Sequence, residues 1–289
     1  MALSSLPRNG TVPVSDNLFL WYEIQGDGED LLVVPSASWL NRDLDPLIEG
    51  RTVVFYDVRG RGRSANIQDE ALLGIHRDVD DLERLRVALG MERFDLFGWS
   101  YHGGIAARYA LAYPEHVRRV VLIGPTGPRR DPYFDDFLGR FAFRVDVDGL
   151  QALQQKREAG LKESDPLTWC KEVHRLYLLS YVKEPENYDR MKSCPCQEPN
   201  MDPDHVNNQG RRAVEVLGPY DWREDFRELQ TPFLILHGEH DPVPPDGSRE
   251  WAGILPNSEL VIWDHISHMP WLDDPDTFFP AVLEYLARP

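Results

Sequence analysis

Several short runs of this chain are apolar at nearly every position rather than at alternate ones. They are Leu31-Leu32-Val33-Val34, Thr52-Val53-Val54-Phe55-Tyr56, Phe94-Asp95-Leu96-Phe97, Val120-Val121-Leu122-Ile123, Phe233-Leu234-Ile235-Leu236 and Leu260-Val261-Ile262-Trp263. A strand can be apolar on both faces only if both faces are covered, which is the environment of a parallel sheet between helices. Helix-like segments separate the runs. Residues 71–89 carry Leu72, Ile75, Val79, Leu82, Leu85 and Leu89 on one face and charges on the other, and Gly90 closes them. Strand–helix alternation predicts an α/β fold whose central sheet is mostly parallel and flanked by helices.

The pattern breaks at Pro125. Residues 126–228 contain no convincing buried strand but have helical stretches over 133–143, 149–157, 166–182 and 206–217, dense in aromatic residues. The strand pattern then resumes at Phe233, and a final helix is expected over 277–287. The chain therefore reads as a core of residues 1–125 and 229–289 interrupted by a helical cap, 126–228. A length of 289 residues is enough for one large domain with such an insertion. Residues 18–24 read as an aromatic-rich strand, and residues 1–16 as a lead-in.

Composition narrows the function. The chain is 42 % hydrophobic and carries a net charge of −17, the opposite of the balance that nucleic-acid binding needs. No apolar stretch is long enough to span a bilayer, and the first residues lack the basic and apolar blocks of a secretory signal. A soluble, cytoplasmic protein acting on a small molecule, with no nucleic-acid or membrane partner, is the expectation. The three cysteines, Cys170, Cys194 and Cys196, make no even framework, which agrees with a reducing compartment. Cys170 and His174, four apart on an expected helix, would form a Cys₃His zinc site if they met Cys194 and Cys196. Ordinary cysteines in an insertion are the simpler reading, and neither metal nor organic cofactor is expected.

Chemistry concentrates where a strand stops abruptly at Gly98-Trp99-Ser100-Tyr101-His102-Gly103-Gly104 and a helix begins. Such a turn lifts a serine hydroxyl above the sheet edge, beside the positive end of a helix dipole. Serine is a poor nucleophile unless a histidine, oriented by a carboxylate, takes its proton. Asp241 follows the run 233–236 and His268 follows the run 260–263, so all three groups lie just past strand ends. His265 is a second candidate base and Asp264 a second candidate acid. Arg59, Arg61 and Arg63 could form an anion site, but a structural turn is the simpler account.

Four segments, taken together, resemble the α/β-hydrolase fold family: Asp57-Val58-Arg59-Gly60-Arg61-Gly62-Arg63-Ser64, the Gly98-Trp99-Ser100 elbow, His237-Gly238-Glu239-His240-Asp241, and His268-Met269-Pro270-Trp271-Leu272-Asp273-Asp274-Pro275. The resemblance implies Ser100 as nucleophile, His268 as general base and acid, and Asp241 as the orienting carboxylate. It implies an oxyanion hole from the Tyr101 N–H and from Ala37 or Ser36 in the loop after residue 34. Trp39, Trp99, His102, Phe137, Phe141 and Trp271 are the expected substrate contacts. Two positions depart from the family pattern: His102 stands where the elbow usually has glycine, and the loop Pro35-Ser36-Ala37-Ser38 lacks the usual His-Gly. The expected activity is hydrolysis of a moderately large, apolar ester or lactone. A proline-iminopeptidase-like aminopeptidase using acidic cap residues, a C–C bond hydrolase, and a slow-turnover ligand receptor are the alternatives.

Overall fold

The computed structural model of the chain describes residues 6–197 and 216–288. Its strands are β1 (Asn9–Pro13), β2 (Phe19–Gly26), β3 (Asp30–Pro35), β4 (Arg51–Tyr56), β5 (Phe94–Trp99), β6 (Val117–Ile123), β7 (Phe233–Gly238) and β8 (Ser258–Trp263). They form one 8-stranded sheet in the order β1-β2-β4-β3-β5-β6-β7-β8. The β1–β2 and β2–β4 pairs are antiparallel, and the remainder are parallel. Continuous apolarity has its expected cause. Leu31 and Val33 enter the core on one face of the sheet, Leu32 and Val34 the core on the other.

Two differences from the expectation follow from position at an edge. β1 lies in what reads as a lead-in, because Asn9-Gly10-Thr11-Val12-Pro13 is half turn-formers and buries only Val12. β8, expected to be covered on both faces, is the opposite edge strand, and its Val261 is 37 % exposed.

Helices α1 (Ala37–Leu40), α2 (Ile75–Leu89) and α3 (Tyr101–Ala112) follow β3, β4 and β5. α2 starts four residues later than its apolar spacing suggests, because Gly74 takes φ 133° and breaks the run. Between β6 and β7 the described residues are helical: α4 (Tyr133–Ala142), α5 (Val147–Glu158), α6 (Leu161–Ser164) and α7 (Pro166–Leu178). The stretch expected over 166–182 stops at Leu178 and tightens into a 3₁₀ turn, Leu179–Tyr181. The helix expected over 206–217 lies almost wholly outside the described residues. After β7 come α8 (Pro245–Ile254), α9 (Pro270–Asp273) and α10 (Pro275–Leu286).

The cysteines correct the sequence reading. Cys170 of α7 and Cys196 are joined by a disulfide, leaving Cys194 as the free thiol. With a disulfide present, the odd cysteine count no longer points to a reducing compartment, and two of the sulfurs that a zinc site would use are spent on the bridge. Among the described residues no cluster of His, Cys, Asp and Glu is arranged to hold a metal, and no helix is long and apolar enough to cross a membrane.

Candidate active site

Ser100 sits between β5 and α3 at φ 57°, ψ −127°. A non-glycine residue reaches that region only where its surroundings over-determine it. Here the Ser100 N–H donates to the Ile123 carbonyl at 2.9 Å, and the Ser100 carbonyl accepts from the N–H groups of Gly103 (2.9 Å) and Thr126 (3.2 Å). The helix must also pass close over the strand. A Cβ on Gly98 would lie 2.7 Å from the His102 carbonyl oxygen and 2.8 Å from the Ala106 Cβ. Glycine is required at 98 for that approach; at 102 it is not, and histidine fits.

His102 is buried and its Nε2 lies 2.8 Å from Arg61 Nη1. Burial first, and then the Arg61 charge, hold its pKa well below the ordinary histidine value. The ring is neutral, and Nε2 accepts from the guanidinium. Next to it, Tyr101 donates its hydroxyl to Asp78 Oδ2 at 2.9 Å, and Arg61 stacks on the Tyr101 ring 4.7 Å from the centroid.

The Asp241–His268 pair forms past the ends of β7 and β8. His268 Nδ1 lies 2.7 Å from Asp241 Oδ2, with both side chains almost fully buried. Burial alone would raise the Asp241 pKa, but the charges and hydrogen bonds of His268 and His237 outweigh it and hold the carboxyl below its usual range. Asp241 Oδ1 accepts from the Val243 N–H at 2.7 Å, so the carboxylate is fixed from two directions. His268 is also fixed at its backbone: its N–H donates to the Tyr181 carbonyl (3.0 Å), and its carbonyl accepts from Trp99 Nε1 (3.0 Å). Its ring packs between Trp99, at 5.2 Å, and Tyr181, at 4.8 Å. Gly124, at the end of β6, makes room for the pair, since a Cβ there would lie 2.7 Å from Asp241 Oδ2 and 2.8 Å from His268 Nδ1.

Ser100 and His268 share the wall of a cavity of about 650 Å³. Ser36, Trp39, Trp99, His102, Phe137 and Phe141 line it, with Tyr133, Phe134, Tyr177, Tyr181 and Tyr220 beside them. Arg61 and Arg130 are the charged residues of the lining, and no Asp or Glu is among the described residues there. Trp271, an expected contact, is instead buried behind the wall, edge-on to Trp99 at 5.1 Å, and the Ala37 side chain is wholly buried at the start of α1, next to the lining residue Ser36.

A family model described as alpha/beta hydrolase fold matches residues 34–275, from β3 to the start of α10. The chain belongs to the α/β-hydrolase fold family. It is 23 % identical over 275 residues to a proline iminopeptidase of Heyndrickxia coagulans, covering 93 % of this chain and 94 % of the relative. A pimeloyl-[acyl-carrier protein] methyl ester esterase of Pectobacterium carotovorum subsp. carotovorum (strain PC1) is 26 % identical over 275 residues, covering 92 % and 98 %. Among solved structures, a meta-cleavage product hydrolase from Pseudomonas fluorescens IP01 superposes with a TM-score of 0.70 at 18 % identity, over 96 % of each chain.

Within this α/β hydrolase the second candidate base is at the surface. His265 is 53 % exposed and ion-paired to Asp264 (3.1 Å) and Asp274 (2.9 Å), while Asp264 is 97 % exposed. The three arginines of the 57–64 turn also separate. Arg59 is buried in a two-pronged ion pair with Asp81 on α2, at 2.7 and 2.6 Å, and Arg63 stacks over Trp21 at 4.0 Å. Those two are structural, as expected, whereas Arg61 reaches the cavity. Tyr181 and His237 are the residues that sequence reasoning left without a specific role. Tyr181 was one insertion aromatic among many, and His237 stands in a loop with two histidines and no spacing rule to choose between them.

Proposed function

We propose that this α/β hydrolase cleaves carboxylic esters by acyl transfer. Ser100 attacks the ester carbonyl, and His268 takes the hydroxyl proton while Asp241 keeps the imidazole in the required tautomer and orientation. The tetrahedral oxyanion is held by the N–H groups of Tyr101 and Ala37, each the first of a helix and so without an acceptor inside it. His268 then protonates the departing alkoxide, and water releases the acid from Ser100 by the reverse path.

The observation that carries this reading over an aminopeptidase is the cavity lining. A free amino terminus needs a carboxylate to bind it in an apolar pocket. Of the acidic insertion residues that could serve, the described ones are elsewhere: Glu172 pairs with Lys156 at 2.8 Å, and Glu184 and Glu186 are exposed and outside the lining; Glu198, Asp202, Asp204 and Glu215 lie outside the described residues. Aromatic walls suit an apolar acyl or alkoxy group instead.

The test is a paired assay of wild type and Ser100→Ala on p-nitrophenyl butyrate and prolyl p-nitroanilide. Ester turnover should exceed anilide turnover in wild type and fall by about 10³-fold or more in the variant. Anilide cleavage outrunning ester cleavage would replace the esterase reading with the aminopeptidase one.

A further inference from the structure

Arg61 is placed where a structural arginine has no need to be. It belongs to the 57–64 turn yet lines the cavity beside Ser36, Ser100, Tyr101 and His102. Among the described residues its guanidinium has His102 Nε2 as hydrogen-bond partner and forms no ion pair. Arg59, two residues away, is neutralised by Asp81. The chain holds 48 acidic residues against 31 Lys and Arg, so an arginine that faces an apolar cavity with no carboxylate in direct contact is against the run of the composition. The nearby Asp78 accepts from the Tyr101 hydroxyl and feels the Arg61 charge, but no ion pair joins it to Arg61.

We infer that Arg61 is an anion anchor, and that the substrate is an ester carrying a free carboxylate on its acyl or alcohol part. This rests on the esterase reading and narrows its substrate class. A guanidinium presents a rigid fork of donors that matches a carboxylate with two parallel hydrogen bonds, and it is more weakly hydrated than an ammonium, so it serves in a partly dry pocket. The arginine is also held ready. The neutral His102 ring fixes one end through Nη1, and the Tyr101 face supports the plane at 4.7 Å. Both supports come from α3, which begins at the nucleophile, so the anchor is rigidly referenced to the reacting serine. This also accounts for histidine in the elbow position where glycine is usual: the side chain at 102 orients Arg61.

The experiment uses acid and amide pairs of equal shape. Monomethyl glutarate, adipate and suberate are compared with their primary monoamides, placing the charge on the acyl side. Then 3-carboxyphenyl butyrate is compared with 3-carbamoylphenyl butyrate, placing it on the alcohol side. In wild type, kcat/KM for the acid should exceed that for the amide by about 10-fold or more in one of the two sets, mostly through KM. Arg61→Gln should bring the acid-to-amide ratio close to one. Arg61→Lys, which keeps the charge but not the fork, should retain an intermediate ratio, and it serves alone if Arg61→Gln does not fold. A wild-type ratio at or below one in both sets, or a ratio that Arg61→Gln leaves intact, overturns the anchor while leaving the esterase standing. If wild type turns over neither these pairs nor p-nitrophenyl butyrate, both readings fall together.

Discussion

Asp78 shows how a single buried group beside the site should set the pH dependence of stability. Its carboxyl is pushed from 3.8 up to about 6, chiefly by burial, which the Arg61 charge and the Tyr101 hydrogen bond only partly offset. Because the folded pKa is the higher one, the unfolded chain ionises first as pH rises. Stability is therefore lost between about pH 4 and pH 6 and is constant above that range. A shift of roughly two units corresponds to about 3 kcal/mol. Asp78→Asn removes the titration and keeps an acceptor for Tyr101. Its stability relative to wild type should therefore rise by up to about 3 kcal/mol between pH 4 and pH 7, measured by urea unfolding at each pH. A pH-independent difference would contradict the assignment. At this scale the sequence is informative where a residue lies close past a strand end: Ser100 comes at once after β5, Asp241 in the loop after β7, and His268 in the loop after β8. Tyr181 and Arg61 reach the site through tertiary packing, Tyr181 against His268 and Arg61 against Tyr101 and His102 of α3, and local pattern carries no record of that.

The elements matter through their ends. β6 contributes no catalytic side chain, yet Gly124 at its end, at φ 47°, leaves the space in which Asp241 and His268 meet. Gly124→Ala would strain the backbone and drive a methyl group into both partners. It should cost about 2 kcal/mol of stability and lower ester kcat/KM by about 100-fold through displacement of the pair. Urea unfolding and steady-state kinetics check the two effects, and wild-type kinetics in a folded variant would show that the close approach is unimportant. Element existence was legible for β3 to β7 because two-sided burial writes itself as continuous apolar sequence. It was illegible for β1, whose single buried residue, Val12, leaves no periodicity to detect.

Across the whole molecule, the loss of strand pattern after Pro125 was enough to mark the helical insertion, since a parallel sheet cannot run through it. The cysteine pairing was not legible, because a count of three does not say which two approach. The Cys170–Cys196 bridge closes a loop with a sequence separation of 26 and ties α7 to the segment that follows it. By loop-closure entropy it should contribute about 3 kcal/mol, lost in Cys170→Ser. A maleimide mass shift on the denatured chain should count one thiol, Cys194, before reduction and three after it; three before reduction would contradict the bridge. The central claim is that Ser100 is a nucleophile activated by His268. It is tested most directly by treating wild type, Ser100→Ala and His268→Ala with a fluorophosphonate and mapping the adduct by peptide mass. The account predicts one equivalent on Ser100 in wild type, none in Ser100→Ala and strongly slowed labelling in His268→Ala. No adduct in wild type, or an adduct on another residue, would contradict it.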